Sequence, residues 1–177
     1  MVRRLMFLTP ILPILLACSD DPTGPVWTAR VTGGGMAFNV NTCNVLYQDV
    51  SAQTVNGTAS GQVQIDTYLG TGTYPDCVAG AIWFQYDAVV TDLVLGTATD
   101  GSRVANVCYD VTNIRHPAPF PITPRFGLAI KDGGAASADV TRRADNVTCL
   151  PGEFWGDDPG EGFQGVMQNG NYTIEER

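Results

Sequence analysis

From Val26 to the C-terminus the chain has almost no helical periodicity, and that restricts it to folds built from strands. Runs rich in Val, Thr, Ile and aromatic residues alternate apolar with polar positions, and clusters of Gly, Asn, Asp and Pro separate them. A period of two lets a strand bury one face and wet the other, and closely spaced turn signals mark a sandwich or a barrel. The pattern predicts strands over 26–32, 36–40, 60–68, 79–96, 102–114, 126–131 and 165–174. Asp100-Gly101 predicts a hairpin turn between the two longest runs, and Asn56-Gly57 and Asp132-Gly133 predict further turns. The expected architecture is all-β, a single antiparallel β-barrel or strongly curved β-sandwich of about seven to nine strands. No internal repeat is visible.

The first residues obey different rules. Arg3 and Arg4 make a short positive segment, and an apolar stretch interrupted by Pro10 and Pro13 runs from Leu5 to Leu16. It is shorter than the roughly 20 apolar residues needed to span a bilayer, so it reads as an export signal and not as part of the fold. Leu15-Leu16-Ala17-Cys18 closes it, with a cysteine directly after a small residue. This arrangement resembles the lipobox of bacterial lipoproteins. The resemblance implies cleavage before Cys18, a diacylglycerol on its thiol and acylation of the freed amine. Acyl chains contribute about 0.8 kcal/mol per buried methylene, so two or three of them anchor a protein durably. Ser19 after the cysteine, where retention in the inner membrane favours Asp, implies the outer membrane of a two-membrane envelope. Residues 1–17 are thus expected to be leader, 18–25 a lipidated cysteine with a Pro/Gly-rich polar tether, and 26–177 the all-β domain. A seven-residue tether reaches at most about 25 Å, which keeps the domain near the membrane surface.

Cleavage would remove 17 of the 177 residues and leave 160, enough for one domain with a real core. Without Arg3 and Arg4, eight basic residues face eighteen acidic ones, a net charge near −10. That balance argues against nucleic acid and anionic lipid surfaces as partners, and serves solubility. Beyond Cys18 the chain has Cys43, Cys77, Cys108 and Cys149, an even number that points to two disulfides in an exported protein. No C-x-x-C occurs, so a zinc site is not expected.

Three pairings are open. In the strand over 102–114, Ala105, Val107, Tyr109 and Val111 make an apolar face, and Cys108 lies opposite, where a crossing loop with Cys149 could reach it. This favours Cys43–Cys77 and Cys108–Cys149. In the neighbouring run, Ile82, Phe84, Tyr86, Ala88 and Val90 make the apolar side, with Trp83, Gln85 and Asp87 opposite.

Gly33-Gly34-Gly35-Met36-Ala37-Phe38, Ser60-Gly61-Gln62-Val63-Gln64-Ile65, the Asp132-Gly133-Gly134 turn and Gly170-Asn171-Tyr172-Thr173-Ile174 follow one another in an order that resembles a loose group of secreted bacterial β-domains. The resemblance implies a small antiparallel β-domain and brings no activity with it. Members often carry Asp-Asn-Gly at the turn where this chain has Asp-Gly-Gly.

Chemistry-bearing motifs are few. His116, the only histidine, lies in a proline-rich extended segment, and a triad with Ser51, Ser60, Ser102 or Ser137 lacks any nucleophile-elbow context. A stiff connector is the simpler reading of that segment. Phe154, Trp155, Asp157, Asp158 and Glu161 form the candidate binding loop. Its three carboxylates are a candidate Ca²⁺ set, although the spacing does not fit an EF-hand, and a solvated acidic loop is the plainer alternative. Phe154 and Trp155 would form a binding lip or cap one end of the fold. No H-E-x-x-H, P-loop or dinucleotide fingerprint is present, and neither a metal nor another cofactor is expected. The expectation is a non-catalytic binding or structural domain, anchored through Cys18, with a protein or small-molecule partner. The alternatives are a lipocalin-like carrier of an apolar ligand and a carboxylate-based hydrolase.

Overall fold

The structure is a computed structural model that describes residues 27–119, 122, 124–134, 138–145 and 163–177. Cys18, Ser137, Cys149, Phe154, Trp155, Asp157, Asp158 and Glu161 lie outside the described residues. The described chain forms strands β1 (Trp27–Asn39), β2 (Val45–Val55), β3 (Thr58–Thr71), β4 (Val78–Thr97), β5 (Arg103–His116), β6 (Arg125–Asp132), β7 (Val140–Asp145) and β8 (Phe163–Glu176). Each pairs antiparallel with the next, and β8 returns to β1, so the sheet closes as an up-and-down barrel.

Two turns follow directly from their residues. Asn56 and Gly57 both have positive φ, 50° and 77°, as a type I′ hairpin requires, and they join β2 to β3. Gly101 takes φ 85° in the β4–β5 turn, where Asp100 Oδ1 accepts from the Ser102 amide at 3.0 Å. At the other extreme, Gly33-Gly34-Gly35 does not interrupt a strand as the sequence pattern suggested. β1 runs through it and pairs with β2 on one side and β8 on the other. A Cβ on Gly33 would lie 2.1 Å from the Asn171 carbonyl oxygen, and one on Gly170 2.0 Å from that of Gly34. The glycines let the first and last strands approach and coil tightly enough to close the ring.

Two further departures come from β2 and β7, which the pattern did not predict. Their inner faces carry Gln48 and Thr141, both buried, so the apolar alternation is broken. The third departure is in β4. The β3–β4 register shifts between Thr67 and Tyr68, pairing Tyr68 with Ile82 and Thr67 with Phe84. The bulge reverses the alternation. Ile82 is 43% exposed, whereas Trp83 is half-buried against the core with its ring 5.3 Å from that of Phe84. Ile82 therefore does not belong to the core face.

A smaller cluster sits apart from the main core. Phe38, Cys43, Val45 and Cys77 pack together with Met36 and Tyr68, around a Cys43–Cys77 disulfide that ties the β3–β4 connection to the β1–β2 loop. Cys108 is also disulfide-bonded, with its partner outside the described residues. It is buried together with Val104, Asn106 and Ala129, although these residues alternate with those of the main core.

Candidate functional site

Among the described residues, large side chains occupy the interior. Phe84, Tyr86, Tyr109 and Phe126 stack along it, with Tyr86 5.6 Å from Phe126 and nearly parallel, and Phe126 6.1 Å from Tyr109. The Tyr86 and Tyr109 hydroxyls meet at 3.0 Å, so each has a partner in the other. Beyond them Gln48 Nε2 donates to Thr141 Oγ1 at 2.7 Å, and the Tyr172 hydroxyl donates to Gln48 Oε1 at 3.2 Å. Burial raises the Tyr172 hydroxyl far above the ordinary tyrosine value, with Asp49 and Asp139 adding to the effect. Asp139, 3% exposed, accepts from the amides of Tyr172 at 2.6 Å and Gly133 at 2.9 Å, and so fastens the β6–β7 connection to β8.

The outer surface is different. A groove of about 460 Å³ crosses β2 to β5, lined by Asp49, Ser51, Gln62, Gln64, Asp87, Val89, Thr112 and Asn113. It adjoins a shallower hollow of about 120 Å³ beside Gly35, Tyr47 and Asp66. A barrel is convex outside, so a hollow needs local bending. The β4–β5 register supplies it, shifting at Gln85/Tyr86, Asp87/Ala88 and Val90/Asp92. At the first two shifts the extra residues are Arg115 and Thr112.

The bulged Arg115 reaches across two strands. Its Nε donates to Asp87 Oδ1 at 2.8 Å and its Nη2 pairs with Asp66. Hydrogen bonding to Asp66, with Asp87 adding to it, raises the guanidinium above its ordinary pKa. Asn113 Nδ2 donates to Asp87 Oδ2 at 3.0 Å. One end of the groove is aromatic, where Tyr47, 41% exposed, meets Tyr68 edge-on at 5.6 Å. The arrangement offers side-chain amides, hydroxyls and a braced carboxylate, beside a ring face that can stack.

Other predicted residues do not assemble. His116 ends β5 opposite Gln85 and is exposed. Ser102 precedes the same strand at its far end, about 40 Å away along an extended chain. Ser60 lies beside the β2–β3 turn, also at that far end. Ser51 is four residues along β2 from the level of His116, about 13 Å. These three serines thus form no triad with His116. Among the described residues, no three His, Cys, Asp or Glu side chains are grouped to hold a metal ion. The sequence reading placed Asp87 outward but missed Asp49, because β2 was not recognised, and Arg115, because no alternation rule anticipates a bulge. The outward positions Gln62, Gln64 and Asp66, two residues apart on β3, were the available signal.

No protein-family model matches the chain, and no curated protein or solved structure is significantly similar to it.

Proposed function

We propose that the chain is a lipid-anchored domain of the bacterial cell envelope that binds a hydroxyl-rich ligand, a sugar chain, in the outer groove without transforming it. The observation that carries the reading is the groove lining. Gln62, Gln64, Asn113, Ser51 and Thr112 each donate and accept, as vicinal hydroxyls require, and Tyr47 offers a ring at one end. Groups on adjacent strands stand about 4.8 Å apart and alternate residues along a strand about 6.8 Å apart, which suits successive hydroxyls of a glycan.

Anchoring rests on Cys18 and its leader. In the up-and-down order, β1 starts at the end that carries the 56–57 and 98–102 turns. A tether from Cys18 would put that end towards the membrane and the 72–77 and 117–124 connections away from it. The buried aromatic cluster counts against a lipocalin-like carrier, because Phe84, Tyr86, Tyr109, Phe126 and Tyr172 are each at most 3% exposed. The engagement of Asp66 and Asp87 by Arg115 counts against a hydrolase that uses this pair.

The test is calorimetric titration of the exported Cys18→Ser protein with oligosaccharides from bacterial envelope polymers. Saturable binding is expected, weakened about tenfold by Gln64→Ala or Asn113→Ala, each removing one hydrogen-bonding group. Absence of binding across such a panel, or binding indifferent to both substitutions, would overturn the reading. Release of shortened sugars would replace it with a hydrolase.

A further inference from the structure

The outer groove and the hollow beside it carry an unbalanced charge. Asp49, Asp66 and Asp87 bring three carboxylates to them, and among the described residues Arg115 is the one cation that pairs with any of the three. Register fixes how the carboxylates stand. Across β2 and β3, Tyr47 faces Asp66 and Asp49 faces Gln64. Across β3 and β4, Gln64 faces Asp87 and Asp66 faces Gln85. Asp66 is therefore the diagonal neighbour of Asp87 on one side and of Asp49 on the other, by the same two-residue offset. Such neighbours stand about 7–8 Å apart.

One of the two diagonals shows how a cation fits. The Arg115 guanidinium lies between Asp66 and Asp87, with Nε 2.8 Å from Asp87 Oδ1 and Nη2 on Asp66. On the other diagonal Asp49 is exposed, and among the described residues no Lys or Arg pairs with it. There is room beside it. Gly34 and Gly35 of β1 face Asp49 and Gln48, so β1 puts no side chain over the hollow of about 120 Å³ between Gly35, Tyr47, Asp49, Gln64 and Asp66. Tyr47, 41% exposed, adds a ring whose face attracts cations. Among the described residues, no three carboxylates are grouped as ligands of one metal ion, so the complement of this hollow is an organic cation.

We propose that the ligand of this groove is a chain of hexosamines with free amino groups, one ammonium of which lies between Asp49 and Asp66 beside Tyr47. The inference rests on the sugar reading above and names the class of sugar. The ammonium takes on the Asp49–Asp66 diagonal the place that the Arg115 guanidinium takes on the next. Gln62, Gln64, Thr112 and Asn113 remain for the hydroxyls along the groove. An acetylated amine brings no charge to the hollow, and a uronate or phosphate would meet carboxylates there. Hydrogen bonds to an ionised partner are about twice as strong as neutral ones, so the free amine decides the affinity.

The experiment is calorimetric titration of the exported Cys18→Ser protein, in mildly acidic buffer, with β-linked glucosamine oligomers and with fully N-acetylated oligomers of equal length. The free amine is expected to bind at least about tenfold more tightly, with an advantage that shrinks as salt rises. Asp49→Asn keeps the side-chain shape and should erase that advantage. Glu176→Gln removes an exposed charge at the end of β8 and should leave it intact. Equal or tighter binding of the acetylated oligomer overturns the inference and leaves the sugar reading in place. An equal loss from both substitutions overturns it too, since it marks a general attraction to an acidic surface. If neither oligomer binds, the inference falls, and the sugar reading falls with it only if the wider panel of envelope oligosaccharides also fails.

Discussion

Gln48 and Asp49 are neighbours on β2, and the polar groups around them obey opposite rules. Gln48 points inward, where Thr141 and Tyr172 take up both ends of its amide and water has no access. Asp49 points outward, into a groove where amides, hydroxyls and the Asp66–Arg115–Asp87 bridge remain wet. Inside, a hydrogen bond left unmade costs the desolvation of its group, so a network closed within the protein fixes structure. Outside, partners can be exchanged for water or ligand at little cost. The same residue chemistry is structural on one face of the strand and available for recognition on the other.

The strongest test of the contrast is Asp139→Ala. It removes the acceptor of the buried Tyr172 amide and of the half-buried Gly133 amide and should cost about 3 kcal/mol, read from urea unfolding midpoints. Tyr172→Phe removes only the hydroxyl and its bond to Gln48, and should cost about 1–2 kcal/mol at neutral pH. It should also change the alkaline limb. The folded state holds the Tyr172 proton above the ordinary value of 10.0, whereas the unfolded chain releases it there. The corresponding stability is complete below pH 10 and declines above it, by about 1.4 kcal/mol per pH unit, until the folded hydroxyl itself ionises. Thermal melts between pH 9 and 11 should show a shallower decline for Tyr172→Phe. The smallest effect is expected outside. Arg115→Ala should cost less than about 1 kcal/mol and vanish in high salt, since exposed ion pairs are screened. A loss as large as that of Asp139→Ala would erase the distinction between the two faces.

The same contrast explains what could be read in advance. The strand-only class and the Asn56-Gly57 and Asp100-Gly101 turns follow from residues whose local chemistry suffices, whereas the Cys43–Cys77 pairing is favoured only as the remainder once Cys108 is assigned to the outer face. β2 and β7 were hidden because each turns a polar residue inward, and Gln48 and Thr141 satisfy one another across the barrel at 2.7 Å. Neither strand looks amphipathic until the other is in place. The groove was legible only as loose outward residues such as Asp87. Its organiser, Arg115, is presented by a bulge that arises from the fit of β4 to β5, and nothing in its own neighbourhood announces that.

The closing seam has a consequence for how the molecule comes into being. β1 shares one side with β8, from Ala29 against Glu176 to Asn39 against Gly165, and the Arg177 amide donates to the Thr28 carbonyl oxygen at 3.2 Å. The first strand of the barrel therefore completes its pairing only when β8 is present. Until then β1 has an unpaired side, and the ring stays open. The order of the strands acts as a timer that sets closure after synthesis of β8.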